Sequence, residues 1–283
     1  MAAVRKSASA TAAGAASDSP LAFLGITQSA KGMLWRERLS ASDQATATTI
    51  SQRHGLPDLL GRILAARGVG IDTAAVFLDP TIRALMPDPD VLRDMGTAAK
   101  RLADAIQRRE RVAVFGDYDV DGASASALVQ RFLDHHGTQS RIYIPDRIFE
   151  GYGPNVAAIE LLIKEGANLI LTVDCGTTSF EPLAAAARLK TNVLVIDHHQ
   201  ADAELPQVLA VVNPNRQDDL SGLGHLCAAG VVFLLLVATQ RELRRRGAYG
   251  EAAPEPNLFA LLDIVALATV ADVVPLTGLN RAF

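Results

Sequence analysis

Between residues 111 and 212 the chain alternates short, continuous apolar runs with longer segments of helical spacing. Residues 112–115 (Val-Ala-Val-Phe), 142–144, 169–173 and 193–196 read as buried strands, and 208–212 as a further strand stopped by Asn213-Pro214. Residues 122–135, 155–165 and 180–189 carry the helical pattern, with Gly166 closing the second of them. Strands that are apolar throughout, separated by helix-length crossovers, predict an α/β fold: a mostly parallel sheet with helices on both faces. A small helical region is expected ahead of it, over 46–110. Leu59, Leu60, Ile63 and Leu64 share one face there and Leu102, Ala105 and Ile106 another, with Pro80, Pro87 and Pro89 as breaks. Two more helices are expected near 229–245 and 258–270. Residues 1–45 read as a floppy tail and lead-in, rich in Ala and Ser as far as Ser19.

Composition narrows the function classes. With 283 residues, 49% hydrophobic and 20% charged, the chain is long and apolar enough for one large domain or two modest ones. A net charge of −4 and 5% aromatics argue against a duplex-coating protein and against a sheet paved with stacking rings. Cys175 and Cys227 have no C-x-x-C spacing, which excludes a thiolate zinc cluster and predicts reduced thiols in a cytoplasmic protein. The apolar run 228–239 is too short to span a membrane. Residues 258–276 are long enough but carry Asp263 and Asp272, so a buried core helix is expected.

The acidic residues are unevenly placed. Asp117, Asp119 and Asp121 follow the first strand, Asp174 follows the 169–173 strand, and Asp197, His198 and His199 follow the 193–196 strand. In a parallel sheet these strand ends lie on one rim, where ligands bind. Crowded carboxylates there repel, and divalent cations are the natural compensation. Aspartates mixed with histidine suit Mn²⁺ or Mg²⁺, and enough carboxylates to bridge suggest two ions roughly 3.5–4 Å apart, the arrangement that hydrolyses phosphate esters. Singly, each feature has a plainer reading: a D-x-D turn caps a helix, a His pair fills surface or core, and an Asp after a strand caps the next helix. Together they point to a metal phosphoesterase. No G-x-x-x-x-G-K-[ST], H-E-x-x-H or G-x-S-x-G occurs.

Four stretches, in order, carry a resemblance: Asp117-Tyr118-Asp119-Val120-Asp121-Gly122, Val173-Asp174-Cys175-Gly176, Asp197-His198-His199 and Val270-Ala271-Asp272-Val273-Val274-Pro275-Leu276. They resemble the motifs of the DHH phosphoesterase superfamily. Arg147-Ile148-Phe149-Glu150-Gly151-Tyr152-Gly153 and Phe77-Leu78-Asp79-Pro80 make the chain most similar, over about residues 56–281, to the RecJ single-strand-specific 5′→3′ exonucleases. The resemblance implies a DHH domain over 111–276 and the start of a connecting helix over 277–283. The family's second cleft domain and oligonucleotide-binding fold are absent, so the chain is expected to be a fragment or a naturally shortened protein.

It also implies roles. Asp119 and Asp121 would each bind one of two Mn²⁺ or Mg²⁺ ions, Asp174 would bridge them, and His198 and Asp272 would complete the second ion's ligands. His199 would sit at the scissile phosphate with Asp197 orienting the histidines, and Asp117 joins them as a catalytic candidate. Where some superfamily members carry a histidine ligand this chain has Phe115, which cannot ligate.

Arg147, Glu150, Gly151, Tyr152 and Gly153 form a candidate substrate-binding segment: Arg147 for a phosphate, Tyr152 for stacking, the glycines for close backbone approach. Ser221 and Gly222 lead to a helix start whose N–H groups suit a phosphate. Arg241, Arg244, Arg245 and Arg246 read as a solvated helix end. The implied function is metal-dependent hydrolysis of single-stranded DNA in repair and recombination, with single-strand-binding protein or helicase partners by family analogy. Alternatives are a superfamily phosphoesterase on oligoribonucleotides, cyclic dinucleotides or pyrophosphate, and an inactive RecJ-like binding module.

Overall fold

In the computed structural model, which describes residues 22–283, the first helices are α1 (Ala41–His54), α2 (Asp58–Ala66) and α3 (Ala74–Leu78). The Ala/Ser-rich tail lies outside the described residues. The described residues up to Leu78 form one compact unit and Asp79–Phe283 another. In the first, Ser40 and Asp43 close a reciprocal capping box at the start of α1, and Gly55 ends the helix in the left-handed region. Ile50, Leu64, Val69 and Ala74 make its core, with Leu60 packed on it. Leu59 and Ile63, expected on the same face, are exposed. Their offset around the helix turns them away from the side that meets α1.

The second unit holds α4 (Ile82–Leu85), α5 (Met95–Gln107), β1 (Val112–Gly116), α6 (Val120–His135), β2 (Ser140–Tyr143), α7 (Val156–Lys164), β3 (Leu169–Val173), α8 (Phe180–Arg188), β4 (Asn192–Ile196), β5 (Ala210–Val212), α9 (Ala228–Arg245) and α10 (Leu262–Ala271). The division falls well before Glu110 because Met95, Ala98, Leu102 and Ala105 of α5 are buried in the same core as the sheet. All five strands are parallel, in the order β2-β1-β3-β4-β5.

Side-chain alternation builds two cores from one sheet. Val112, Val114, Leu169, Leu171, Leu194 and Val212 face the layer that contains α5, α6 and α9. Ala113, Phe115, Ile170, Val193, Val195 and Val211 face the layer of α7 and α8. Phe115 is fully buried and stacks on Tyr143 with centroids 5.4 Å apart, so it serves packing.

The 258–276 stretch differs from the buried helix expected of it. A short 3₁₀ turn (Leu258–Leu261) precedes α10, and only one side, with Val265, Ala268 and Thr269, packs against the core. Phe259, Leu267, Val270, Val273 and Leu276 are exposed. The helix is apolar nearly all round, whereas its neighbours α6 and α9 cover a single face. Among the described residues no helix is long and apolar enough to cross a membrane.

Candidate metal centre

Strand register lines up the acidic row. Gly116, Val173 and Ile196 pair side by side across β1, β3 and β4, so Asp117, Asp174 and Asp197 leave the sheet together at its carboxyl edge. The ladder continues one step further: Asp174 N–H donates to Ile196 O at 3.0 Å, and Asp197 N–H to Val212 O at 3.0 Å. From β1 the order runs to β2 on one side and β3 on the other, and such a reversal opens a crevice at the strand ends. Asp117 and Asp174 stand at that point.

The turn after β1 brings in two more carboxylates. Asp119 caps α6, its Oδ1 accepting from Gly122 N–H at 2.9 Å. A Cβ at Gly122 would lie 2.6–2.8 Å from the Asp117 backbone, so only glycine lets the turn close onto the helix. Asp121, in the first turn of α6, is buried and accepts from the first two N–H groups of α9: Ala228 at 2.6 Å and Ala229 at 2.8 Å. His198 Nε2 lies 3.3 Å from Asp174 Oδ1, 3.7 Å from Asp121 Oδ2 and 3.7 Å from Asp272 Oδ2. Asp272 ends α10, and Val273 turns the chain away at φ 59°. A left-handed conformation is unusual for a β-branched residue.

Three overlapping donor sets result, each with its ligand atoms within 4.8 Å of one another: Asp117, Asp119 and Asp174; Asp174, His198 and His199; Asp121, His198 and Asp272. Asp174 and His198 each belong to two. Asp174 also holds a left-handed backbone, φ 62°, which costs energy for any residue but glycine and recurs at functional sites.

Burial pushes the carboxyls of Asp117, Asp121, Asp174 and Asp272 above their ordinary range, and neighbouring aspartates push them further. Asp174 is carried up to about 10. Asp117 Oδ1 and Asp174 Oδ1 are buried without a hydrogen-bond partner. Unpaired, desolvated carboxylate oxygens beside an imidazole are the donors a hard divalent cation takes. The residues fit a metal.

Asp197 behaves oppositely. Burial raises its pKa, yet hydrogen bonds from His199 and Thr177 hold it down at about 2. Its Oδ1 accepts from His198 N–H at 2.8 Å, His199 N–H at 3.2 Å and the His199 ring at 2.8 Å, and its Oδ2 from Thr177 N–H at 3.0 Å. Nδ1–H of His199 therefore faces Asp197, which leaves Nε2 for other partners.

A family model described as the DHH family, N-terminal domain, matches residues 111–269. The chain belongs to the DHH family. It is 32% identical over 252 residues to the single-stranded-DNA-specific exonuclease RecJ of Bacillus subtilis, covering 89% of this chain and 30% of the relative. It is 38% identical over 229 residues to RecJ of Salmonella typhimurium, covering 80% of this chain and 39% of that one. Among solved structures, RecJ from Thermus thermophilus in complex with Mn²⁺ superposes with a TM-score of 0.67 at 30% identity, over 84% of this chain and 32% of that one. An exonuclease RecJ bound to manganese gives 0.59 at 36% identity, over 68% and 46%. The chain thus spans about a third of the length of the two curated relatives.

Other candidate residues of the DHH domain take different places. Glu150 accepts from Tyr143 Oη at 2.5 Å, Asp146 N–H at 2.8 Å and Asn155 Nδ2 at 3.2 Å, so it braces the loop after β2. Gly151 and Gly153 hold φ near 80°, as the loop requires. Tyr152 Oη donates to Asp174 O at 3.1 Å, and its ring stands edge-on to His199. Arg147 is exposed at the same rim, its guanidinium 4.9 Å from the Tyr118 ring centroid.

Ser221 caps its own loop, accepting from Leu223 N–H at 3.2 Å, and Gly222 is exposed. The α9 N–H groups expected to meet a phosphate at Ala228 and Ala229 are held by Asp121. Arg241, Arg244, Arg245 and Arg246 all pair with carboxylates of this chain: Asp88 and Asp90, Glu255, Glu242, and Glu242 with Asp104. Cys175 and Cys227 are buried, and burial pushes both thiols up, Cys227 to about 12. Both are therefore poor nucleophiles.

Sequence reasoning missed the frame behind the histidines. Asn213 Nδ2 donates to Thr177 Oγ1 and to His199 O, both at 2.9 Å, and Asn215 Nδ2 donates to His198 O. In the sequence, the Asn-Pro after β5 signals only a strand stop. Because Asp197 carries four hydrogen bonds here, Asp197→Asn is expected to cost roughly 10- to 100-fold in Mn²⁺ affinity, measured by calorimetric titration, with an unchanged circular dichroism spectrum.

Proposed function

We propose that this chain is the metal-binding nuclease domain of a single-strand-specific DNA exonuclease of RecJ type, hydrolysing phosphodiester bonds from the 5′ end with two Mn²⁺ or Mg²⁺ ions. The observation that carries this reading is Asp174, shared between two donor sets with a buried oxygen left unpaired. Asp119, Asp121, Asp174, His198 and Asp272 would hold the ions, with Asp117 beside Asp119. Bound there, such ions supply Lewis acidity, activating water and neutralising charge on the phosphate.

The remaining residues position and protonate. His199, held through Nδ1 by ionised Asp197, keeps Nε2 for an oxygen of the scissile phosphate, and its pKa is raised by the hydrogen bond to Asp197. Asp197 stays ionised and holds the imidazole in one tautomer. Arg147 supplies a cation at the rim for the sugar–phosphate backbone. The similarity to RecJ exonucleases supports single-stranded DNA as substrate, a role in repair and recombination in the cytoplasm, and single-strand-binding protein or helicase partners. The 5′→3′ direction belongs to the same reading. Domain limits of 46–110 for the helical lead and 111–276 for the catalytic region belong to the same reading.

The test is digestion of oligodeoxynucleotides labelled at either end, with Mn²⁺ and with EDTA. Metal-dependent release from the 5′ end is expected. Hydrolysis confined to oligoribonucleotides, cyclic dinucleotides or pyrophosphate would replace this reading with a small-substrate phosphoesterase. Binding of single strands without turnover would replace it with a binding module.

A further inference from the structure

In the loop of residues 145–153, hydrogen bonds hold Asp146, Glu150 and Tyr152, while Ile148 and Phe149 between them stand out into solvent. Asp146 Oδ1 accepts from the N–H groups of Ile148 at 2.8 Å and Phe149 at 3.2 Å. Glu150 ties the loop to Tyr143 and Asn155, and Tyr152 ties it to the carbonyl of Asp174. Ile148 and Phe149 are left 85% and 86% exposed. Water contact on two large apolar side chains is unfavourable, and a loose loop would fold them in. This loop is braced on both sides of them, so they stay out.

Their location says what could cover them. Phe149 is three residues from Tyr152, at most about 11 Å of chain, and Tyr152 contacts both Asp174 and His199. Arg147, on the other side, offers a cation at the same rim. A flat apolar ring, an aliphatic neighbour and a guanidinium beside a phosphate-hydrolysing centre suit a nucleobase flanked by its phosphates, with no preference among bases since each has a π face.

We infer that Phe149, supported by Ile148, is a stacking platform for a base of the single strand whose scissile phosphate lies at the carboxylate cluster. This rests on the nuclease reading above. It assigns stacking to Phe149 rather than to Tyr152, whose hydroxyl and ring are engaged at Asp174 and His199.

Binding of a fluorescein-labelled oligothymidylate, followed by anisotropy in Ca²⁺ and in EDTA, tests it. Phe149→Ala is expected to weaken binding roughly tenfold, and Phe149→Trp to restore it. The Mn²⁺-induced rise in melting temperature should be the same in all three proteins, because the side chain is exposed and bonds nothing at the cluster. On an oligomer of abasic sugars, wild type and Phe149→Ala should bind alike. Equal binding of the normal oligomer by wild type and Phe149→Ala would overturn the platform while leaving the nuclease reading intact. So would an equal loss on the abasic strand, which would place the side chain against the sugar–phosphate backbone instead of a base. Failure of the wild type to bind any single strand would overturn both.

Discussion

Asp174→Asn is expected to lower phosphodiester hydrolysis by about a thousandfold or more while raising the melting temperature of the metal-free protein. The loss follows from the place of Asp174 in two donor sets: an amide is a poorer ligand and carries no charge to neutralise a cation. Several kcal/mol of transition-state stabilisation disappear with it, at about 1.4 kcal/mol per decade of rate. The gain in stability has a separate cause. Asp174 is buried, its Oδ1 has no hydrogen bond, and Asp121, Asp119 and Asp197 add like charge around it. Held up at about 10, the carboxyl of the metal-free fold keeps a proton that the unfolded chain releases; asparagine removes that cost, keeps the shape and accepts the left-handed backbone at φ 62°. Activity and stability thus move in opposite directions, as they do where a site is strained for its task. Stopped-time digestion and a thermal melt in EDTA measure both. A variant with undiminished turnover would remove Asp174 from the catalytic centre.

The metal-free protein should become less stable as pH rises from 6 to 9, and Mg²⁺ should stabilise it more at each step. An unfolded aspartate titrates near 3.9, whereas Asp174 in the fold is carried up to about 10. Across that interval the native state keeps a proton that the unfolded chain has released, so stability falls with rising pH by up to about 1.4 kcal/mol per unit. Over three units the limit is about 4 kcal/mol, or roughly 8–16 °C in melting temperature for a chain of this size. His199, raised by its hydrogen bond to Asp197, acts in the same direction, its contribution present at low pH and lost as pH rises. Asp197 acts the other way, but only as pH falls from the ordinary aspartate range towards about 2, outside this window. A cation displaces the retained proton and meets the exposed charge directly. Thermal melts with Mg²⁺ and with EDTA at pH 6, 7, 8 and 9 read the difference. A metal effect independent of pH would place the cations elsewhere.

Much of the fold was legible because strand and helix periodicities differ so clearly between residues 111 and 212. The parallel α/β sheet formed as expected, every strand end within two residues of its expected place; β2 ran from Ser140 to Tyr143 rather than over 142–144. That strand lies at the sheet edge and is partly exposed, so its apolar signal is weaker than that of β1 or β3. The apolar 258–276 stretch misled, because composition says how much surface wants cover and not how much the neighbouring helices can give. The partners that Glu150 and the helix start after Ser221 and Gly222 find within the chain were not legible either, because a polar group's partner is set by distance in space. The bracing role of Glu150 depends on Tyr143 and Asn155, and the use of the α9 N–H groups depends on Asp121, 107 residues away from the first of them.

By itself, the sequence determined that three strands would each end in an acidic residue, since an apolar run broken by Asp in a parallel sheet puts that Asp at the carboxyl edge. It also determined that a glycine would follow the acidic turn at residue 122. Tertiary structure alone decided that β1, β3 and β4 lie side by side in matching register, which makes three separated aspartates into one row. It decided, too, that α10 ends beside His198, so that Asp272 joins them, and that Asn213 and Asn215 hold the histidine backbone. Periodicity is local and survives in the chain as written, while register, helix docking and hydrogen-bond partners arise from long-range packing that local pattern does not encode.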